Sequence, residues 1–563
     1  LANPYLGGAR PWLDAFRLDF WGLPAERTIG SYRPLPNLLW RPLAWTLRYH
    51  TPFYLQLLGP LLHGVAVCLL YLLIQRSARR PAGPDSPLDG SALVGAGLLL
   101  TLGIATEAVV TVVGQADVLV AIWTLLGLLA LELRPGLREA AIFVTCLLGL
   151  LSKETMLAAL PLLALAALVL PGPSVGGRAR AARTLGVVLS SAASVVTLVV
   201  LRRQLFLEHA DVTAPALAMP SPVLASLARF FEQPRLPIDP QNNPLLLAPR
   251  ALRVPTALGI YGSSVLQMAV PFELNADYSF PREVPHGWTL RAVWGALCFV
   301  LPLALGLLRG ARALWPARTS GTAVVRPENG LLTLGLLWVP VSYLPASNLL
   351  VLLPTIRAER LLYLPAIGFC ILVSALWPRA NGSRFARGLL VLCVVTSALQ
   401  ARAHALHYES DVLFWRAASR GNPPSAKAQL NLGVMLGARG DAAGRIAATQ
   451  KSVELSPKWP VAHVYLGDAL CRAGRAREGI PHYARGFELA PDHKDTAALA
   501  LQCLWDAGEF ERARPALERA AARDPNGWLG FLLREVGAHG LENRGVPVKY
   551  RPRGYNEAKA GGG

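Results

Sequence analysis

Charge is what this sequence has least of. Asp, Glu, Lys and Arg make up 16% of 563 residues, against about 25% in ordinary soluble domains. Acidic residues are scarcest, Asp+Glu 36 against Lys+Arg 55. With 53% hydrophobic residues the chain is too oily to be wholly soluble and too apolar for long disorder. Cysteine is sparse and unpatterned. Five of the seven, Cys68, Cys146, Cys298, Cys370 and Cys393, lie in apolar runs, and Cys471 and Cys503 form no CxxC or metal spacing, so no disulfide framework is expected. No Walker loop, HExxH or dinucleotide glycine motif occurs, which argues against soluble-cofactor and metalloprotease chemistry. No signal peptide opens the chain. It starts at Leu1 in a polar stretch and reads as a fragment of something longer. The net charge of +19 would suit a nucleic-acid binder, but most arginines sit in short loops between apolar runs.

Those runs recur from Pro52 to Ala403 and predict an all-α polytopic membrane domain. They fall at about 52–75, 91–107, 115–132, 138–151, 155–171, 184–203, 290–308, 331–352, 361–378 and 388–402, with a weaker one at 256–272. The short pair 138–151 and 155–171, joined by Ser152, Lys153 and Glu154, fits one interrupted helix or two tilted ones. Loop charge decides, because basic loops stay cytoplasmic. Arg76, Arg79 and Arg80, then Arg134 and Arg138, then Arg178, Arg180 and Arg183 all fall inside if the two are separate crossings. Arg309, Arg312, Arg318 and Arg326, then Arg379, Arg384 and Arg387, also fall inside if 256–272 is re-entrant or interfacial. The expected organisation is a first external loop at 1–51 and a membrane domain at 52–403 with a large external loop at about 204–289. Repeats follow at 404–545, and a disordered tail at 546–563.

This topology gathers Glu107, Asp117, Lys153–Glu154, Asp277 and the Arg357–Glu359–Arg360 cluster at outer helix ends or outside. A mid-bilayer charge costs on the order of 3 kcal/mol or more, so charges kept near membrane depth usually line a polar cavity. Taken singly, each also fits an interfacial anchor or a helix-end charge. Tyr32 and Trp21 fit interfacial aromatics, His63 a packing residue, and Glu359 beside Arg360 a structural ion pair.

Pro423, Pro457, Pro491 and Pro525 are spaced by 34 residues, as are Gly440, Gly474 and Gly508, and Leu432–Gly433 recurs as Leu466–Gly467. That period is the tetratricopeptide signature, an α-solenoid of stacked helix pairs. Arg445 and Gly479 depart from it where Ala513 conforms, and Ala500–Leu501 stands in place of Leu–Gly. Ser410–Asn422 reads as the second helix of a half repeat.

Motifs follow in order along the chain: Asp19-Phe20-Trp21-Gly22, Ser31-Tyr32-Arg33-Pro34-Leu35, Thr106-Glu107-Ala108-Val109, Gly114-Gln115-Ala116-Asp117, Leu151-Ser152-Lys153-Glu154-Thr155, Asp277-Tyr278-Ser279, Pro345-Ala346-Ser347-Asn348 and Ala358-Glu359-Arg360-Leu361-Leu362-Tyr363-Leu364-Pro365. Together with the membrane-then-repeat arrangement, this set resembles the transmembrane and tetratricopeptide-repeat O-mannosyltransferase family over nearly the whole chain. The resemblance implies a GT-C type membrane fold. It also implies transfer of mannose from a polyprenyl-phosphate carrier to Ser or Thr of a secretory protein, in a periplasmic or endoplasmic reticulum lumenal setting. Such enzymes carry an acidic motif in the first external loop. Leu1-Ala2-Asn3-Pro4 resembles the stretch just downstream of it, so the family's catalytic carboxylate is expected upstream of Leu1, with Asp14 and Asp19 the aspartates that remain in this loop.

Attack of a hydroxyl on an anomeric carbon needs a carboxylate to take the proton and cations where charge grows on the departing phosphate. The catalytic candidates are therefore Asp19, Glu107 and Asp117, and the substrate-binding candidates Tyr32, Arg33, Lys153, Glu154, Asp277, Arg357, Glu359 and Arg360. Arg360 with Lys153 or Arg33 is expected on the phosphate. No cofactor or metal is expected beyond the lipid-linked sugar, and the solenoid is expected to bind the protein acceptor. The alternative is a non-catalytic, membrane-anchored repeat scaffold; a transporter fits less well, since no duplicated half is visible.

Overall fold

The computed structural model describes residues 3–7, 10–24, 31–46, 51–79, 90–170, 177–206, 239–270, 274–314, 327–380, 383–490, 494–524 and 527–539. Arg80, Arg318, Arg326, Pro491, Pro525, the stretch 207–238 and the tail 546–563 lie outside them. The described residues are all-α, and they form two compact units. One comprises Leu1–Asp239, Leu245–Ala276 and Pro285–Tyr408; the other comprises Pro240–Pro244, Asp277–Val284 and Glu409–Gly563.

The first unit is a polytopic bundle. After α1 (Pro34–Thr46) come α2 (Thr51–Arg79), α3 (Ser91–Thr101), α4 (Thr106–Val110), α5 (Gln115–Ala130), α6 (Leu137–Ser152), α7 (Ala159–Val169) and α8 (Gly177–Phe206). Then follow α9 (Arg250–Ala269), α10 (Leu290–Leu314), α11 (Pro327–Tyr343), α12 (Tyr363–Ala380) and α13 (Arg384–Leu406). Six of these segments are long and apolar enough to cross a membrane, or seven if the bent pair α3 and α4 is one span.

Side-chain contacts give the direction of each helix. Glu139 on α6 lies against Gly186 on α8, and Cys146 reaches Ser191 at 3.6 Å, so α6 and α8 run the same way. The Arg183 guanidinium donates to the Ala167 and Leu170 carbonyls at 2.8 and 2.7 Å, so the end of α7 meets the start of α8. The segments 138–151 and 155–171 are therefore two antiparallel legs, not one interrupted helix. Lys153, extended at φ −166° and ψ 149°, makes the reversal.

The rest alternates likewise. Gln115 donates to the Leu55 carbonyl, and Arg76 meets Glu132 at 3.7 Å, so α2 and α5 are parallel. Gly95 on α3 packs against Ile74 and Ser374, Trp338 Nε1 donates to the Leu364 carbonyl at 2.8 Å, and Arg309 donates to Asn329 at 2.8 Å. One end of the bundle thus collects Arg76, Arg138, Arg183 and Arg309; the other collects the starts of α5 and α12 and the ends of α6 and α8.

Several elements differ from the sequence expectation: α11 ends at Tyr343, short of residue 352, and Gln115–Ala130 and Glu154–Val169 are shorter than a full span. The run 91–107 is not straight: α3 and α4 are bent by 53° around Leu102. Gly103 fits there because a Cβ would lie 2.9 Å from Gln400 and 3.1 Å from Leu274. The run 256–272 belongs to the 20-residue helix α9, both of whose ends touch segments on the same side of the bundle. Thr256 bonds the His286 backbone, just ahead of α10, and Gln267 accepts from Arg357, just ahead of α12. Interfacial and re-entrant segments both have that geometry; a crossing does not.

The second unit is built of helix pairs: α14 (Asp411–Ser419) alone, then α15 (Ala426–Ala438) with α16 (Ala442–Leu455), α17 (Pro460–Arg472) with α18 (Ala476–Leu489), and α19 (Lys494–Asp506) with α20 (Phe510–Ala521), closed by α21 (Trp528–His539). Ser410, Ser425 and Asp441 accept backbone N–H groups at their helix starts, the usual N-cap bond. Gly440, Gly474 and Gly508 turn each pair with φ of +85°, +78° and +70°, where a side chain would be strained. This explains their 34-residue recurrence. Tyr483, Phe487, Leu501, Leu504, Phe510 and Leu517 fill the shared core.

Cysteine is where the sequence reading falls short: Cys471 on α17 and Cys503 on α19 form a disulfide, with Cα atoms 6.3 Å apart. Helix stacking brings together side chains 32 positions apart, a spacing that no cysteine motif encodes.

Two outcomes follow from this packing. At Gly295 on α10 an added Cβ would lie 1.7 Å from the Leu258 carbonyl on α9. Gly295→Ala should therefore lower thermal stability in detergent by about 1–3 kcal/mol, whereas Gly97→Ala, with open space around it, should not. Denaturing alkylation without reductant should leave the Cys471 and Cys503 thiols unlabelled by mass. Cys503→Ser should cost the repeats about 3–4 kcal/mol of stability, as expected for freeing a loop of this length.

Candidate functional site

The charges of the bundle meet at the end where α5 and α12 begin. The α6–α7 reversal turns Lys153 inward, and its ammonium donates to both oxygens of Asp117, in the first turn of α5, at 2.7 and 2.6 Å. Each side chain of the pair is almost sealed from solvent, at 6% and 5% exposed. Next to it, Glu107 on α4 accepts the Arg360 backbone N–H at 2.9 Å and also pairs with the Arg360 guanidinium. The bend at Leu102 and the short α4 point Glu107 at the Glu359–Leu362 turn that leads into α12.

A third pair joins the first loop to the α6–α7 reversal. Arg33, just before α1, donates from Nε to Glu154 at 3.0 Å, and its second contact there is 2.9 Å. The Phe20 ring lies under the Arg33 guanidinium, 5.0 Å away. Lys153 has both Arg33 and Arg360 as electrostatic neighbours, so the three pairs form one network. Burial pulls the Lys153 ammonium below its ordinary range, and Asp117 lifts it part of the way back. Burial pushes the Tyr32 hydroxyl up, against Arg202, so Tyr32 stays protonated; it donates to the Phe16 carbonyl at 3.3 Å.

The remaining predicted residues divide. Arg357 is buried and bonds Gln267. Glu359, fully buried, meets His404 at the end of α13 at 3.0 Å and accepts the Asn275 N–H at 2.6 Å. This buried clasp fixes the loop that carries Arg360. Asp19 lies in the first loop, fully buried. Its Oδ1 accepts the N–H groups of Trp21 and Leu23 at 2.9 Å each, because a short carboxylate one turn ahead of Gly22 is a natural turn clasp. Asp277 belongs to the second unit. There it bonds Ser279 at 2.7 Å and Ser425, the N-cap of α15, with Lys427 at 3.7 Å.

Residues that sequence reading missed are Arg202, His404, Gln267 and Asn275. Arg202 is buried at the far end of α8, with Glu154, Arg33 and Tyr32 as electrostatic neighbours. Its signal was available: it is a cation at the end of a run whose other end already holds Arg178, Arg180 and Arg183, against the usual charge bias. His404 and Asn275 had none, since their partners are 45 and 84 positions away.

Chemically, the network offers fixed cations in a poorly hydrated setting and carboxylates that hold them. Fixed cations of this kind can stabilise an anion brought against them. Among the described residues no group of three or more His, Cys, Asp or Glu could hold a metal ion.

The class is therefore an all-α polytopic membrane protein with an ion-paired end and a unit of helical repeats. The chain is 26% identical over 523 residues to protein O-mannosyl-transferase TMTC3 of Mus musculus, covering 87% of this chain and 52% of the relative. Drosophila melanogaster protein O-mannosyl-transferase Tmtc1 is 29% identical over 502 residues, 78% of this chain and 56% of that protein. Human TMTC3 is 26% identical over 523 residues, with the same coverage as the mouse protein. No family model matches the chain and no solved structure matches it. The chain spans about half the length of these curated relatives. Matches under one family name over most of the chain are consistent with a TMTC-like family member, as the motif order implies.

Lys153 and Asp117 allow structure and chemistry to be separated. Lys153→Met alone leaves a buried, unpaired carboxylate and should destabilise the protein by about 3–5 kcal/mol. Lys153→Met with Asp117→Leu should recover most of that loss in a thermal unfolding assay, since two apolar groups can replace a buried pair.

Proposed function

We propose that the chain is the membrane and repeat portion of a protein O-glycosyltransferase that moves mannose from a polyprenyl-phosphate carrier to Ser or Thr of a protein acceptor at the exoplasmic face. The observation that carries this reading is the buried network Lys153–Asp117, Arg360–Glu107 and Arg33–Glu154 at one end of the bundle. The relatives' names, protein O-mannosyl-transferases, support the reaction class.

In the reaction the acceptor hydroxyl forms a bond to the anomeric carbon as the bond to the carrier phosphate breaks. The hydroxyl proton passes to a base, and the electron pair leaves on the phosphate. The cations stabilise that growing charge. Glu107 and Asp117, each already engaged by a cation, position Arg360 and Lys153. The scheme calls for no resident cofactor or metal, because the phosphate ester is itself the activated donor.

Two observations support the exoplasmic side. Arginines gather at the opposite end of the bundle, and basic ends stay cytoplasmic. The repeats hold a disulfide, which persists in oxidising compartments. The repeats follow α13 in the chain, and in this reading they capture the acceptor.

Arg360→Ala in the full-length protein should reduce transfer of labelled mannose from polyprenyl-phosphate-mannose in membranes at least a hundredfold, with expression retained. Unchanged turnover would remove Arg360 from the site, and absence of transfer by the wild type would leave a scaffold.

A further inference from the structure

His63 and Tyr363 take no part in the ion-paired network. His63 lies near the middle of the Phe53–Ser77 span of α2, where sequence alone offers it a packing role. Its Nδ1 is 2.6 Å from the hydroxyl of Tyr363, the first residue of α12. The two rings meet edge to face, with centroids 5.7 Å apart. Tyr363 is fully buried and His63 is 7% exposed. Polar groups this deep in an apolar bundle cost more than the apolar side chains that would fill the same space, and an ionisable one points to a role.

The imidazole also faces the backbone of Leu99 and Leu100. These residues end α3, just before the bend at Leu102, where helix carbonyls lose their intrahelical donors. A neutral imidazole has one acceptor and one donor, enough to serve both the Tyr363 hydroxyl and a carbonyl there. One turn earlier on the same face of α2, Gly59 packs against α4 so closely that a Cβ would overlap the Val109 carbonyl. The same stripe of α2 therefore touches α4 through Gly59 and α12 through His63. Glu107 lies within a turn of Val109, and Arg360 within a turn of Tyr363. Both contacts flank the elements that bring Glu107 and Arg360 together.

We propose that α2 is a spacer for the Glu107–Arg360 pair, with His63 as its positioning residue. The bond to Tyr363 sets where the Arg360 turn stands, and Gly59 sets how closely α4 brings Glu107 to it. Neither His63 nor Tyr363 touches substrate in this scheme. The effect on turnover rests on the reading of the chain as a transferase; the placement of the turn does not.

The test uses full-length protein in nanodiscs and two readouts. Hydrogen exchange followed by mass spectrometry reads the Arg360 N–H that Glu107 accepts at 2.9 Å, and mannose transfer from polyprenyl-phosphate-mannose reads turnover. His63→Leu combined with Tyr363→Phe removes the bond without leaving either buried partner unsatisfied. This double variant should keep its thermal stability and exchange the segment 357–362 at least about tenfold faster. Its kcat should fall at least about tenfold, with KM for the donor within about twofold of wild type. His63→Gln, which keeps one donor and one acceptor, should recover much of both losses. Activity lost only in step with thermal stability would mark the pair as structural and overturn the positioning role, as would unchanged exchange across 357–362 in the double variant. If the wild type transfers no mannose, the transferase reading fails, and exchange alone then decides the spacer: faster exchange supports it and unchanged exchange overturns it.

Discussion

Burying an ion in an apolar bundle is costly unless a partner of opposite charge is fixed beside it. That constraint organises this protein. Arg33, Lys153, Arg202 and Arg360 lie with Glu107, Asp117 and Glu154 at one end of the membrane unit, and they come from six different stretches of chain: the first loop, the α3–α4 bend, the start of α5, the α6–α7 reversal, the end of α8 and the turn before α12. None of these stretches can move far without leaving a charge unpaired. The network therefore fixes the helix ends as much as it equips them for chemistry.

The helix irregularities make sense in that light. The bend at Leu102 shortens a span so that α4 can offer Glu107 to the Arg360 turn. The extended Lys153 reverses the chain and also aims its side chain at Asp117. His404 closes on Glu359 from the last helix of the unit, so the loop before α12 is tied through both carboxylate oxygens of its one acidic residue. Places where ideal helix geometry is broken are the places where a polar group is delivered.

The second unit follows a different logic. Its helices are short and its core is shared between neighbours, so stability comes from stacking. The third repeat, which departs most from the Leu–Gly pattern, is tied to the second by the Cys471–Cys503 bond. The loop segments 240–244 and 277–284 are built into this unit, through Gln241 with Phe280 and Ser456 and through Asp277 with the α15 cap. Asp277, read from sequence as part of a charged membrane face, bonds within this unit to Ser279 and Ser425, with Lys427 at 3.7 Å.

The sequence by itself determined the all-α character, the positions of the apolar segments, their alternation and the 34-residue period. Each of these is written locally, in hydrophobic run length, loop arginines and turn glycines, and needs no knowledge of what packs where. It also marked Glu107, Asp117, Lys153, Glu154 and Arg360 as unusual, because a charge beside an apolar run is visible in one dimension. Only the tertiary structure decided the pairing: Arg33 with Glu154 across 121 positions, Arg360 with Glu107 across 253, and the inclusion of Arg202. Periodicity reports which face of a helix is buried but not which helix it is buried against, and electrostatic partners are chosen by that second fact.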